Sequence, residues 1–387
     1  VIKILLVTAS LLAPLCAHAY PDFISYGYKS CITCHFNGAG GGALNDYGRS
    51  LFATEFTSTD PKANDETLSN ESGFLGSTEL PWWIRPGFKF RGLFLRTRLE
   101  DSKNSTSRFI PMQVSFNTAF LLDEKADKIF VGTVDYMPVP VRFGSTSEKK
   151  PLSFIAKEYY FRSLLSKGYI LYTGLMDKPY GIRHPDHTAF NRGVNSFGLN
   201  QNDQSHGLTL QMNYDKYEMF INYFLGNYNQ ESALRQKGFS FMGEYSLTKE
   251  LTLGLSLLKS NNSYLDLTRV GLHSRVGFAK AKSIMGELGF RTDKPLQIGD
   301  PVKNGFYSYI QSLITMSKGY NFLTTYQTYK DDLTSTGTVR NKLGFGLLAF
   351  PWQKTEIRAE VINDRTVADQ SSAPDTWTAQ AQVHLSW

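Results

Sequence analysis

Three observations predict an all-β fold, an outer-membrane antiparallel β-barrel of about sixteen strands. From about Trp82 onward apolar and polar residues alternate with the two-residue period of a strand whose faces meet unlike surroundings. The alternating segments run to about 10 residues, the span of a tilted transmembrane strand, and Tyr, Phe and Trp recur near their ends, where an interfacial girdle would lie. The connections between them are short and long by turns. A soluble β-sandwich also alternates, but it has no reason to sort its loops by parity.

In order, strands are expected near 88–99, 110–122, 129–140, 155–164, 168–176, 207–214, 217–225 and 239–247. The second half follows near 250–259, 267–277, 283–292, 304–315, 319–330, 340–350, 355–363 and 376–387. Even-numbered strands lead into short turns such as "SKG", "DK", "TKE" and "PWQK". Odd-numbered ones mostly lead into longer loops, including 177–206, 226–238, 293–303 and 364–375. Short turns on one rim and long loops on the other mark an outer-membrane barrel, and an even count puts both ends on the short-turn, periplasmic side.

The alternation also assigns faces. Ile110, Met112, Val114, Phe116, Phe120 and Leu122 share one parity against Gln113, Ser115 and Asn117. Leu251, Leu253, Leu255 and Leu257 stand opposite Thr252, Gly254 and Ser256, and a hairpin turning at Asp215-Lys216 puts Tyr217, Met219, Ile221 and Tyr223 together. The last segment sets Trp377, Ala379, Ala381, Val383, Leu385 and Trp387 against Gln380, Gln382, His384 and Ser386, an aromatic ending that resembles the C-terminal recognition signal of outer-membrane proteins.

Residues 1–19 read as a secretory signal, with Lys3, an apolar core and Ala17-His18-Ala19 as a small-x-small cleavage site. Cys16 raises lipidation as an alternative, but Leu15 stands where that signal wants a small residue. Downstream no apolar run reaches the roughly 18 residues of a transmembrane helix, so a membrane span here has to be made of strands. The chain is 41% hydrophobic and 14% aromatic, with a mean hydropathy of −0.28. Its net charge of +6 is scattered rather than gathered into a stripe, which argues against nucleic acid as a partner.

Behind the signal only Cys31 and Cys34 remain, followed at once by His35, in "SYGYKSCITCHFNGAGGG". Cys-x-x-Cys-His is the attachment sequence of c-type haem: two thiols form thioethers with the porphyrin and the adjacent imidazole ligates iron. A redox disulfide would call for a thioredoxin-like βαβ context that is absent. A structural zinc site wants four ligands, and residues 20–80 offer two cysteines and one histidine. One covalently bound haem c is therefore the expected cofactor.

Residues 20–60 form the expected haem segment, 61–81 a polar linker and 82–387 the barrel. Gly38, Gly40, Gly41 and Gly42 would let backbone pass close to a flat cofactor, or form a plain linker. Arg49 is either a propionate partner or a solvated charge. About forty residues rarely bury enough surface to fold alone, so the segment is expected to plug the barrel and borrow its inner wall. It contains no Met and no second His for the sixth iron position. The long loop supplies Met176, His184, His187 and His206 as candidates, while Arg183, Asp186 and Arg192 would suit a charged constriction. Two other readings of the loop stand beside this one: a merely polar pore loop, which is favoured, or a site where His184 and His187 with Asp186 hold a passing metal ion.

This arrangement resembles the fused monohaem cytochrome–porins of iron-oxidising bacteria, on the stretch from Pro21-Asp22-Phe23 through Cys31, Cys34 and His35 to Tyr47-Gly48-Arg49. The resemblance implies that Cys31 and Cys34 carry the haem, that His35 ligates its iron, and that electrons pass between an extracellular donor or acceptor, ferrous iron in that family, and a periplasmic cytochrome or other carrier. The glycine-rich "NGAGGG" and the absence of an acidic or histidine cluster for iron capture depart from it. A diffusion porin with a haem-bearing plug or sensor segment, and a haem enzyme acting on a small ligand, are the competing expectations.

Overall fold

The computed structural model describes residues 21–58, 80–100, 104–138, 152–184, 186, 189–192, 204–297, 299–334, 338–367 and 374–386. Among them, 16 antiparallel strands pair in sequence order and close on themselves, β1 against β16. They are β1 (Ile84–Leu99), β2 (Ser105–Leu121), β3 (Lys128–Pro138), β4 (Leu152–Ser166), β5 (Tyr169–Met176), β6 (Ser205–Asn213), β7 (Tyr217–Gly226) and β8 (Lys237–Ser246). Then come β9 (Leu251–Asn261), β10 (Leu265–Ala279), β11 (Lys282–Pro295), β12 (Lys303–Ser317), β13 (Tyr320–Lys330), β14 (Val339–Ala349), β15 (Thr355–Val367) and β16 (Thr376–Ser386). Closure leaves no edge strand, and every ladder hydrogen bond is made within the sheet, which is what lets strands cross lipid.

The two rims differ as expected. The connections at 167–168, 214–216, 280–281 and 318–319 are tight, whereas 177–204 is the longest link on the other rim. One long-rim connection is an exception: β9 and β10 are joined by 262–264 alone. There β10 and β11 run on together to the Leu265–Pro295 pair, beyond the apolar band that made them visible in the sequence. Strands that leave the lipid keep their ladders without needing apolar residues, so several reach further than alternation indicates.

The outward face is apolar. Ile221, Tyr223, Leu253, Leu272, Ile310, Phe322 and Val383 are all exposed on the outer surface, while the intervening side chains turn inward and are buried. In β2 the expected parity breaks. Phe109 and Phe116 are both exposed although an odd step in position divides them, because the β1–β2 register shifts at Arg91/Gly92, opposite Pro111 and Gln113. Pro111 has no N–H for the ladder, and a bulge at Met112 accommodates it. Ile110 therefore leaves the face shared by Val114 and Phe116.

The lumen is not a hollow polar channel. Residues 21–58 enter its short-turn end as two 3₁₀ turns (Pro21–Tyr26 and Cys31–Thr33), a helix α1 (Asp46–Leu51) and a wider turn over Phe52–Phe56. Phe23 and Phe56 stack with ring centroids 3.9 Å apart. They pack on Leu313 of β12, Leu323 of β13, Leu348 of β14 and Phe350 beyond it. Asp22, fully enclosed, accepts hydrogen bonds from Gln311 at 2.9–3.0 Å, and Ser58 N–H donates to Phe350 O at 2.9 Å. The loop after β5 also folds inward, with Tyr180 and Phe190 buried among Phe224, Leu258, Tyr307 and Tyr329.

Candidate functional site

The two cysteines and the histidine lie on one tight turn. Cys31 O accepts from both Cys34 N (3.1 Å) and His35 N (3.0 Å), closing a single helical winding that collects their side chains within one short stretch. The chain then doubles back. Phe36 N donates to Ala43 O (3.1 Å) and Asn45 N to Cys34 O (2.9 Å), so His35 faces Leu44 in a small antiparallel hairpin with the glycines at its tip. Asn45 binds both halves: its amide donates to Ile32 O and Thr33 O (3.2 and 3.0 Å), and its oxygen caps α1 at Gly48 N (2.8 Å). Gly48 is required there, because a Cβ would sit 2.4 Å from Cys34 O.

Neither cysteine is in a disulfide; Cys34 is buried and Cys31 half-buried. Burial, reinforced by the Glu218 carboxylate, pushes the Cys31 thiol up to about 12. Burial likewise pulls the His35 imidazole down to about 3, with Lys89 and Arg183 adding to the effect. His35 is thus a neutral imidazole at any ordinary pH, the form that binds metals, and its Nδ1 is buried without a hydrogen-bond partner.

The barrel wall encloses this turn. Phe36 and Ile32 pack on Ile129, Val131, Tyr160, Ile170, Tyr172 and Met176. Gly38 N donates to Tyr172 Oη (3.2 Å), Ser30 Oγ to Glu218 Oε1 (2.7 Å), and Arg275 Nη2 to Lys29 O (2.9 Å). At the hairpin tip Gly40, Gly41 and Gly42 all take positive φ (88°, 73° and 67°). A Cβ on Gly41 would lie 2.7 Å from Arg183 Nη2, one on Gly40 3.1 Å from Cys31 Sγ, and one on Gly42 2.6 Å from Glu158 Oε1. The strip is therefore pressed between the cysteine turn and an arginine of the inward loop.

Of the candidates for a sixth iron position, Met176 is the one placed beside the turn, in the cluster that holds Phe36, where its sulfur accepts from Thr209 Oγ1 at 3.6 Å. His184 is turned elsewhere: it stacks on Tyr309 at 4.1 Å and pairs through Nε2 with Asn191 Oδ1 at 2.9 Å. Its imidazole is held down to about 4 by burial. His206 is a correction. It stands on the outward-facing parity of β6 with exposed Leu208, stacked on Tyr228 and hydrogen-bonded to Tyr159 Oη at 2.7 Å, so it does not reach the lumen. His187 and Trp387 lie outside the described residues. Among the described residues no three metal-ligating side chains cluster.

The loop charges are used in part to fix the loop. Arg192 donates to Ile182 O and Tyr180 O (3.2 and 3.1 Å), and Arg183 pairs with Asp177. Arg49 donates to Pro86 O on β1, and burial lowers its guanidinium from the usual range. Lys89 and Arg91 on β1 and Glu158 on β4 also line this region. Sequence reasoning passed over them because a charge on an inward parity position looks the same whether it faces water or a buried site.

A closed barrel of this strand number, apolar outside and filled within, defines the chain as a porin-like outer-membrane β-barrel. Solved structures agree on the fold. The chain is similar to an anion-selective porin from Comamonas acidovorans (TM-score 0.59, 8% identity, covering 79% of this chain and 99% of that one). It is similar also to OmpT of Vibrio cholerae (TM-score 0.57, 8% identity, 79% and 97% covered) and to the outer-membrane channel DcaP of Acinetobacter baumannii (TM-score 0.55, 9% identity, 79% and 97%). No protein-family model and no curated protein matches the sequence.

Proposed function

We propose that this barrel carries one haem c on Cys31 and Cys34, with His35 as the iron ligand, and moves single electrons across the outer membrane. The observation that carries the reading is the turn itself: two cysteines outside any disulfide and a neutral imidazole with an unmet nitrogen, enclosed by the lumen wall. The residues present fit the group. Neither cysteine is in a disulfide, the imidazole needs no deprotonation, and the hairpin tip is backbone that a side chain would obstruct.

When bound, haem supplies a one-electron couple whose potential is set by its ligands and by how dry its surroundings are. The chain's part is to hold and to exclude. Asn45 fixes the cysteine turn against α1, and the cluster around Phe36 and Tyr172 seats it on the apolar inner wall. Entry from the short-turn rim leaves the segment within reach of a periplasmic cytochrome or other carrier. The extracellular partner is ferrous iron if the resemblance to cytochrome–porins extends that far, and the reading does not require it to.

A second reading is a diffusion porin in which residues 21–58 are a haem-bearing plug. The fold likeness to porins favours it, one of them described as anion-selective. Two measurements decide. The chain matured in a host with a cytochrome c assembly system should stain for haem on a denaturing gel, and Cys31→Ser with Cys34→Ser should lose the stain; an unstained wild-type band removes the electron-transfer reading. In planar bilayers the filled barrel should conduct poorly, and freely conducting channels would select the porin.

A further inference from the structure

Arg91 is the anomaly of the lumen. It points inward from β1, is 5% exposed, and its Nε and Nη1 are buried with no hydrogen-bond partner. No ion pair in the described structure reaches it, although most buried arginines of this barrel have one: Arg275 with Glu244, Arg358 with Glu360, Arg269 and Arg291 with Asp293. Its cross-strand neighbours are His384 and Gln113, neither of them anionic. A buried guanidinium without a counter-charge is among the costliest arrangements a protein interior can hold.

Its position says what is missing. Two residues back along β1, about 7 Å and on the same face, Lys89 donates through Nζ to Gly42 O at the hairpin tip. Arg183 lies against Gly40 and Gly41 from the loop side, and its Nη1 is also buried and unpartnered. Lys89 is in electrostatic range of both arginines, and His35 of both Lys89 and Arg183. Acidic groups do stand here, and they are already engaged. Glu158 accepts from Thr133 Oγ1 at 3.2 Å and faces Gly42, Asp177 pairs with Arg183, and Asp135 pairs with Lys157 at 3.2 Å.

We infer that Arg91, with Arg183 and Lys89, forms a carboxylate-binding site over the Gly40–Gly42 strip. Two sources of carboxylate suit it: the propionate side chains of a porphyrin carried on Cys31 and Cys34, or a free organic acid in the lumen. The first source rests on the function proposed above, and the second does not. A guanidinium N–H makes a charge-assisted hydrogen bond to a carboxylate, and the unpartnered Nε and Nη1 of Arg91 and Nη1 of Arg183 are such donors.

The test is a thermal midpoint compared across two forms of the full chain: the haem-stained wild type, and the haem-free Cys31→Ser/Cys34→Ser chain. With propionates on the arginines, Arg91→Gln should lower the midpoint of the loaded chain and raise that of the haem-free chain, where it only removes an unpaired buried charge; Arg91→Lys should restore part of the loaded chain's loss. If the wild type takes up no haem, the function proposed above fails, and the site is decided on the haem-free chain alone. Sodium acetate should then raise its midpoint over sodium chloride at equal ionic strength, and Arg91→Gln should abolish that gain, which assigns the site to a free acid. Should Arg91→Gln not fold, Arg91→Met takes its place, and acetate against acetamide on the haem-free chain needs no further variant. A shift of the same sign in loaded and haem-free chains, together with no response to acetate, overturns the site.

Discussion

Two segments fill this barrel, and they are held in different ways. Residues 21–58 are seated in two apolar clusters with hydrogen bonds to the wall between them: Phe23, Phe56 and Phe52 against Leu313, Leu323, Leu348 and Phe350 at one side, Phe36 and Ile32 against Ile129, Val131 and Tyr160 at the other. The loop after β5 also buries Tyr180 and Phe190, but gathers its wall contacts around one carboxylate. Glu287 on β11 accepts from Ile182 N, Asn191 Nδ2 and Tyr307 Oη at 2.7–3.0 Å, and Phe190 lies under Lys342 with its N–H on Gln327. The first is a foreign body welded into the wall, while the second is a strap tied to it.

Removing the welded segment should have the largest consequence. Deletion of residues 21–58, leaving β1 to β16 to close unaided, should turn a poorly conducting barrel into a conducting one in planar bilayers. If conductance stays low, the inward loop alone blocks the lumen and the contrast between the two segments disappears. Within the seat, Phe56→Ala leaves a cavity beneath Phe23 and Phe350 and should cost about 3–5 kcal/mol of segment docking. Limited proteolysis of the segment in detergent would report it, with the barrel itself staying resistant.

Acid should act on both, and unevenly along the segment. His184 is held down to about 4 by burial, from an ordinary value of 6.5, with Arg192 opposing protonation and Asp186, Asn191 and Glu287 favouring it. The undocked loop therefore binds more protons between those values. The stability that neutral His184 contributes is present above pH 6.5 and is lost as pH falls towards 4, up to about 3 kcal/mol. Asp22 in the segment behaves with the other sign. Burial raises its carboxyl above 3.8, against Gln311, Arg358 and Ser283, which lower it, so acid relieves the cost of enclosing a carboxylate there. His35, held down to about 3 by burial, loses stability in acid as His184 does, so in the haem-free chain acidification from pH 7 to 4.5 should loosen both the loop and the cysteine turn before the Phe23–Phe56 end of the segment. Hydrogen exchange at Ile182, Phe190 and His35 should quicken while exchange at Ser58, whose N–H is held by Phe350 O, does not, and a parallel change at Ser58 would refute the distinction.

Much of the fold was legible in the sequence because lipid imposes a rule on every second residue. The sixteen spans, the sorting of the rims and the tight turns follow from that rule alone. It fails where lipid is not the neighbour. The β9–β10–β11 extension to Pro295 lies beyond the apolar band, and Pro111 shifts a register that alternation treats as uniform. The rule is silent inside. Phe220, Phe224 and Tyr309 occupy inward positions that a water-filled channel would make polar, and only a second body in the lumen accounts for them. The cysteine turn was legible because thiols at that spacing are rare. The bare charge of Arg91 was not, since what distinguishes it is the absence of a partner.

The finest comparison lies between two asparagines. Asn45 binds its segment to itself, linking Ile32 O and Thr33 O of the cysteine turn to the first turn of α1. Asn191 binds its loop outward, joining His184 Nε2 to Glu287 on the wall. Each replacement by Ala removes two or three hydrogen bonds, about 1–2 kcal/mol, yet the consequences should differ in kind. Asn191→Ala frees a contact with the barrel, so loop exchange should rise throughout. Asn45→Ala leaves the apolar seat intact and only loosens the turn within it, so Cys34 in the haem-free wild-type chain should become several-fold more reactive towards maleimide while proteolysis of the segment is unchanged. If proteolysis quickens as much as thiol labelling, the turn and the seat are one cooperative unit, and the segment owes its placement to the cysteine turn as much as to its phenylalanines.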